Sequence, residues 1–384
     1  MKNFLCFLLV AGMVMFTGCK NPLEEIGDVQ SGLKSIKTSN EQQNSEDAGN
    51  EISAGNMNTN DSTEVKEGQL NEKKINENET NDVQTGQTDK STEKVATGTI
   101  SITAYYKDAE GTLIPVTRDI PEEEGIAKAA IRSMIDNDEN RESLMTLGLY
   151  PVLPKGTEIL GINIKDGMAV VDFNNNLLNY KTELEERSIV AGIVYSLSEF
   201  KTITKVKILI NGYEKGKLKF TSNISGTLDR NNILINSEKL NPGSKVMKLD
   251  LYLFKLINDE HDFLVPVSME YIGVDKDELP EAIVRGLSKK PSDERLFTQM
   301  PENTELVDWS IKDKMITLDF SKEIKNYGGN AREEGLVKQI LYTMKQVNGA
   351  EKVRILIEGK KDHLPEGTEI SEGLTIPSGI NKVN

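Results

Sequence analysis

Four carboxylates recur at matching places in this sequence, and they are the first candidates for chemistry. Asp172 and Glu186 lie in one stretch, and Asp319 and Glu333 follow at a displacement of 147 positions. Repeated acids could form the paired carboxyl groups that hydrolyse a glycosidic bond. However, an Asp at the end of a strand also bonds the amides of a following turn, and Asn330-x-x-Glu333 has capping-box spacing, with Asn330 at N-cap and Glu333 at N3. We favour these structural roles for all four acids and predict no catalytic residue.

Other reactive side chains are scarce. His261 and His363 are the only two histidines. Neither has a carboxylate or nucleophile at motif spacing, and neither has a counterpart in the first stretch, so we expect both to lie on the surface. Trp309 could stack on a sugar, although packing in a core or an interface is the favoured interpretation. The sequence shows no glycine-rich phosphate loop and no metal-ligand cluster, which predicts neither cofactor nor metal.

The two cysteines both lie in the first twenty residues, in a typical export signal. Lys2 precedes an apolar run from Phe4 to Phe16, which fits a signal peptide and is short for a membrane-spanning helix. The run ends in Phe16-Thr17-Gly18-Cys19, which resembles the lipobox of bacterial lipoproteins. We therefore predict a signal peptide at residues 1–18 and lipid attachment at Cys19, on the extracytoplasmic face of the cell membrane. An uncleaved membrane anchor with an incidental Cys19 is the alternative.

The stretch that follows is polar and acidic, and it contains no aromatic residue from Lys20 to Thr97. Such a composition cannot bury enough apolar area to offset the entropy of ordering the chain. We predict a disordered acidic tether at residues 19–97. The formal net charge of the whole chain is -15, which argues against nucleic acid as a partner because that ligand requires a cationic face.

The repeated acids belong to a repeated unit, since the sequence pattern of residues 154–212 recurs at residues 301–359. Each copy reads as two strands, the second ending in Asp-Phe, then an amphipathic helix and a Val-x-Ile-x-Ile strand. A hairpin and a helix precede each unit. The sequence predicts an α+β fold of two tandem β-β-α-β-β-α-β copies, with helices on one face of a mostly antiparallel sheet. We place domain one at residues 98–240 and domain two at residues 241–384.

These landmarks resemble the GerMN domain of sporulation and spore-germination lipoproteins. The family's motif positions fall on Asp172, Glu186, Tyr195 and Gly212 in copy one, and on Asp319, Glu333, Tyr342 and Gly359 in copy two. The resemblance implies a fold similar to the ring-building domains of sporulation channel proteins. It also implies a non-enzymatic scaffold or binding protein that supports an envelope assembly, with the membrane, through the lipid anchor, and sporulation proteins as partners.

Two other functions stay open from the residues alone. A protein that binds the cell wall or a glycan would need aromatic platforms, and aromatic residues make up only 5% of the chain. A wall hydrolase would need convergent carboxylates. Binding to muropeptides or their cleavage would distinguish both from a scaffold.

Overall fold

The computed structural model describes residues 98–237, 246–272 and 276–383. The predicted signal peptide, Cys19, the tether and the boundary between residues 240 and 241 lie outside these ranges, so all four stay predictions. Within them, no helix has the length and apolar character needed to cross a bilayer.

Copy one contains the predicted order of strands and helices, with one additional helix and one short additional strand. Its elements are β1 (Thr99–Lys107), β2 (Leu113–Pro121), α1 (Ile126–Arg132), α2 (Asp138–Met145), β3 (Ile159–Lys165), β4 (Met168–Phe173), α3 (Glu183–Leu197), β5 (Lys205–Ile210) and β6 (Tyr213–Glu214). A 3-10 turn at Asn175–Leu178 precedes α3.

Among the described residues, copy two repeats this order with an additional short strand, β9 (Leu296–Phe297), and without a counterpart of α2. Its elements are β7 (Val246–Ile257), β8 (His261–Ile272), α4 (Leu279–Leu287), β9 (Leu296–Phe297), β10 (Leu306–Lys312), β11 (Met315–Phe320), α5 (Asn330–Met344), β12 (Lys352–Ile357) and β13 (Leu374–Thr375). Two 3-10 turns, at Lys276–Glu278 and Lys322–Lys325, precede α4 and α5. The predicted α+β class and tandem organisation are thus confirmed.

The strands of each copy divide between two sheets. The smaller sheet is the hairpin β1-β2 in copy one and the three-stranded sheet β8-β7-β9 in copy two. The larger sheet has the order β3-β4-β5-β6 in copy one and β10-β11-β12-β13 in copy two. Most neighbours are antiparallel, but β4 pairs with β5 in parallel and β11 with β12 in parallel. These pairs are parallel because a crossover helix, α3 or α5, returns the chain to the end of the sheet at which the preceding strand began.

The first helix begins later than its sequence suggests. Pro121 and the acids after it are typical of a helix N-terminus, but β2 continues to Pro121 and α1 begins at Ile126. Thr99 pairs with Pro121 across the hairpin, and Glu122 N–H donates to Gly98 O at 3.0 Å. Pairing with β1 therefore prevails over the local helix signal.

The core lies where α3 and α5 pack on their sheets. On α3, Ile189, Val190, Ile193, Val194 and Leu197 are buried, as the apolar stripe predicts. The matching stripe of α5 is also buried, except for the half-buried Val337. Buried side chains of both copies form one continuous cluster. The two copies therefore pack together as one compact unit.

Candidate functional site

The repeated Asp of each copy binds the repeated Gly. Asp172 Oδ1 accepts Gly212 N–H at 2.9 Å, and Asp319 Oδ1 accepts Gly359 N–H at 2.8 Å. The glycines have φ of 80° and 75°, a conformation that a side chain makes costly. The Asp therefore holds the turn after the neighbouring parallel strand, rather than the turn after its own strand. The geometry supports the expected structural role of both Asp residues, although the turn that they hold is not the one expected.

The repeated Glu of each copy is buried and clamps a loop. Glu186 is 0% exposed, and its two carboxylate oxygens accept Phe220 N–H at 2.7 Å and Ser222 N–H at 2.8 Å. Burial acts to raise the pKa of Glu186, but these bonds and one from Tyr180 outweigh it, so the pKa is lowered. Burial and the nearby carboxylate raise the pKa of Tyr180 to about 12. The glutamate is thus an ionised acceptor tying this loop to α3.

Copy two repeats the clamp with a different loop sequence. Glu333, 1% exposed, accepts Glu366 N–H at 2.8 Å, Thr368 N–H at 2.9 Å and Tyr327 O–H at 2.8 Å. The pKa of Glu333 is lowered for the same reason: burial opposes ionisation, and the bonds to Thr368, Glu366 and Tyr327 outweigh it. This clamp gives the Pro365–Glu369 segment of the tail a role that its sequence does not show.

The capping-box prediction for copy two is wrong. Gly329, not Asn330, is the N-cap of α5, and its end has no side-chain cap. A true capping box stands in copy one, where Thr182 and Glu185 bond reciprocally at the start of α3. Glu333 has the right spacing in sequence, but its carboxylate turns to the loop, which offers more amide donors.

The repeated Tyr residues hold the chain that leaves each copy. Tyr195 donates to Asp250 Oδ2 at 2.6 Å, lies 3.3 Å from Ile233 O and accepts from Lys248 Nζ at 2.8 Å. Burial and the Asp250 charge raise the pKa of Tyr195 well above its usual value. Tyr342 donates to Gly379 O in the corresponding place. Tyr195 thus joins copy one to copy two, because Lys248 and Asp250 belong to β7.

Two asparagines that the sequence did not single out join β2 and β8, whose edges face each other. Asn236 accepts Leu113 N–H at 2.7 Å and donates to Leu113 O at 2.7 Å and Pro266 O at 2.8 Å. The same bonds recur with the copies exchanged around Asn381, which binds Leu264 N–H, Leu264 O and Pro115 O. Both asparagines have positive φ, which this residue type tolerates. The repeated Ile-Asn dipeptide, at residues 235–236 and 380–381, was the signal available in the sequence.

The residue before each asparagine crosses to the other copy. Ile235 N–H donates to Ser268 Oγ, and Ser268 N–H donates to Ile235 O, both at 2.9 Å. In the same way, Ile380 N–H donates to Thr117 Oγ1 at 2.7 Å, and Thr117 N–H donates to Ile380 O at 2.9 Å. We call the interface between the two copies, which includes β2 and β8 with residues 235–236 and 380–381, the seam. Each copy thus contributes its last residues to the hairpin of the other, in an approximately twofold arrangement.

An ion cluster centred on the buried side chain of Glu199 also connects the two copies. Glu199 Oε1 is 2.6 Å from Arg230 Nη2, and Glu199 Oε2 is 2.9 Å from Lys345 Nζ of copy two. Tyr105 O–H donates to the same carboxylate at 3.0 Å. Burial acts to raise the pKa of Glu199, but Arg230 and Lys345 outweigh it and lower the pKa to about 2. The cluster is therefore ionised at neutral pH and spans the two copies.

The remaining candidates occupy ordinary positions. His261 is half-buried with Nε2 3.3 Å from Thr146 O, and His363 is exposed with Nδ1 3.5 Å from Asp362. Trp309 is half-buried and donates from its indole N–H to Glu281 at 2.7 Å, so it packs against α4. Among residues 98–237, 246–272 and 276–383, no three His, Cys, Asp or Glu side chains converge to hold a metal ion.

The fold and these contacts define a class of protein: a tandem of two α+β copies whose repeated polar residues fasten turns, loops and chain ends. A family described as Germane, sporulation and spore germination, matches residues 103–216 and 250–363. The chain belongs to this family.

Two relatives extend the likeness over most of the chain. The spore germination protein GerM of Bacillus subtilis (strain 168) is 30% identical over 306 residues, which cover 77% of this chain and 82% of that protein. The solved structure of the tandem GerMN domains of B. subtilis GerM is 28% identical, with a TM-score of 0.66. It covers 75% of this chain and 100% of that structure. The resemblance to GerMN domains is thereby confirmed.

Proposed function

We propose that this chain is a membrane-anchored, extracytoplasmic binding protein of sporulation or spore germination, which supports a protein assembly of the envelope without catalysing a reaction. The observation that carries the proposal is the use of the repeated polar residues. Asp172, Glu186 and Tyr195 form hydrogen bonds to other groups of the same chain, and their counterparts in copy two do so as well. The polar residues that the two copies share therefore maintain the fold, and we infer that the function depends on the surface of the protein.

Apolar residues exposed at matching positions support contacts with protein partners. Leu160 and Ile164 on β3 are 50% and 44% exposed, and Val307 and Ile311 on β10 are 61% and 41% exposed. Each pair lies 147 positions from its counterpart. Exposed apolar residues that cluster typically mark sites of protein contact. We call these pairs the β3 strip and the β10 strip.

We expect Ile164→Glu and Ile311→Glu, combined in one chain, to reduce recovery of the envelope partners at least about tenfold. A charge introduced into an apolar contact should weaken the binding free energy by about 1.4 kcal/mol or more, and that amount corresponds to a tenfold loss of affinity. The measurement is cross-linking and affinity capture of the full chain from sporulating cells, with sporulation and germination scored in parallel. The melting temperature should stay near that of the wild type, since both side chains are exposed.

Met145→Glu is the matched control, because Met145 is 70% exposed on α2, which has no counterpart in the described part of copy two. Wild-type recovery and sporulation by the double variant would contradict the role of the strips. Retention of the soluble body on peptidoglycan, or release of muropeptides by it, would favour the cell-wall alternative instead.

Membrane attachment is tested at Cys19. Cys19→Ala should move the protein from the membrane fraction to the soluble or secreted fraction, because the thiol that carries the lipid is lost. Cys6→Ala is the control and should leave attachment intact, since Cys6 lies in the segment that cleavage removes. Unchanged fractionation of Cys19→Ala would show that the anchor is not this cysteine.

A further inference from the structure

We propose that a charge inversion at one pair of equivalent positions makes the seam specific: copy one accepts copy two and rejects a second copy of itself. The two positions are Asp108 and Lys255, each three residues after the equivalent tyrosines Tyr105 and Tyr252. They form an ion pair with each other, at side-chain exposures of 2% and 4%. This surface is distinct from the exposed strips invoked for partner binding.

The equivalence of the two copies rests on repeated contacts. Tyr105 N–H donates to Ser196 Oγ at 3.0 Å, and Tyr252 N–H donates to Thr343 Oγ1 at 3.2 Å. These bonds fix β1 on α3 and β7 on α5 in the same register. In a twofold arrangement, a residue that touches its own equivalent lies at the axis. Asp108 and Lys255 therefore mark the axis of the seam.

The axis is where identical copies would conflict. Two copies of the first unit would place Asp108 against Asp108, and two copies of the second would place Lys255 against Lys255. A buried charge that loses its opposite partner destabilises a protein strongly, and a like charge adds repulsion. In the tandem, Lys255 Nζ also binds Glu110 at 3.0 Å and Thr112 at 2.8 Å. Copy one thus supplies a complete acidic receptor for the lysine.

Two further contacts, like the pair of Asp108 and Lys255, carry different charges or polar groups at equivalent positions of the two copies. Glu199 pairs with Lys345, whose equivalents 147 positions away are Gln346 and Ser198, so neither identical pairing restores this ion pair. A buried Thr103–Thr117 hydroxyl contact at 2.8 Å corresponds to an Asp250–Ser268 bond at 2.7 Å. The second contact is charged and reaches Tyr195, whereas the first is neutral.

The seam is therefore a nearly symmetric interface whose charges fit only the unlike pairing. Both copies are present in every chain, so one chain satisfies its own seam. The seam accepts no second copy one or second copy two from another molecule.

The test is a charge swap in the full chain. Asp108→Lys creates the Lys–Lys contact of two second copies, and Lys255→Asp creates the Asp–Asp contact of two first copies. We expect each single change to lower the melting temperature by roughly 5–10 °C, and the Asp108→Lys/Lys255→Asp double change to recover more than half of the loss. Asp108→Asn should cost less than Asp108→Lys, because it removes attraction without adding repulsion.

Lys314 and Glu351 provide the matched control, since their ion pair is 2.7 Å long but the side chains are 67% and 63% exposed. Lys314→Glu and Glu351→Lys should each shift the melting temperature by at most about 2 °C, because surface ion pairs contribute little. Additive losses in the Asp108/Lys255 double variant, or an Asp108→Asn variant as unstable as Asp108→Lys, would overturn the proposal. If the single variants do not fold, a soluble and folded double variant supports it and an insoluble one overturns it.

Discussion

We expect Glu333→Ala to lower the free energy of unfolding by about 2–5 kcal/mol, because it strips two backbone amides and a tyrosine hydroxyl of a charged acceptor. The carboxylate of Glu333 is buried and holds Glu366 N–H and Thr368 N–H. Alanine has no oxygen that could replace the carboxylate as an acceptor. Chemical denaturation of the soluble body, monitored by circular dichroism, measures the loss.

The control is Glu334→Ala on the same helix. Glu334 is exposed and makes only a 3.6 Å contact with Lys338, so its loss should stay within about 0.5 kcal/mol. The equivalent clamp residue Glu186 should behave as Glu333 does, because it binds Phe220 and Ser222 in the same way. A Glu333→Ala protein as stable as the wild type would contradict the clamp.

The second large effect is a loss of stability in acid that depends on Glu199. Its pKa in the folded chain is about 2, below the ordinary value of 4.5. A depressed pKa means that the group stabilises the fold above pH 4.5, and that this contribution falls as the pH drops toward 2. The contribution is on the order of 3 kcal/mol. Thermal unfolding measured from pH 7 to pH 3 should show a falling melting temperature.

Glu199→Gln tests the assignment of this pH dependence. The variant should be less stable than the wild type at pH 7, because Arg230 and Lys345 lose their carboxylate. Its melting temperature should also fall less steeply in acid, since one of the depressed groups is gone. Glu334→Gln should leave the profile unchanged. Equal steepness in wild type and Glu199→Gln would show that other carboxylates account for the acid transition.

Short-range features of the fold were predictable from the sequence. The Asp166-Gly167 dipeptide, which joins β3 and β4, is a typical signal for a hairpin, and both residues have positive φ. Lys314 adopts the same conformation in copy two, at φ 64° in place of glycine. The amphipathic helix that the sequence predicts in copy one is α3, which spans Glu183–Leu197. These features depend on neighbouring residues, whose periodicity and turn preferences are visible in one chain.

The partners of the buried polar groups were not predictable in the same way. Capping-box spacing suggested a local partner for Glu333, but the fold presents it with the amides of residues 366 and 368. Asn236 and Asn381 look like loop residues until β2 and β8 are placed side by side. Asp108 and Lys255 are 147 positions apart, and nothing in the sequence says that they touch.

The sequence by itself determined that this protein is a tandem of one α+β unit, with a helix stripe and a Val-x-Ile-x-Ile strand kept apolar in both copies. Only the tertiary structure decided which polar residue fastens which loop, and how the two copies meet. The physical reason is that a core pattern is written in each segment by its own periodicity. A hydrogen bond or ion pair between distant segments depends instead on the whole chain bringing both partners within about 3 Å.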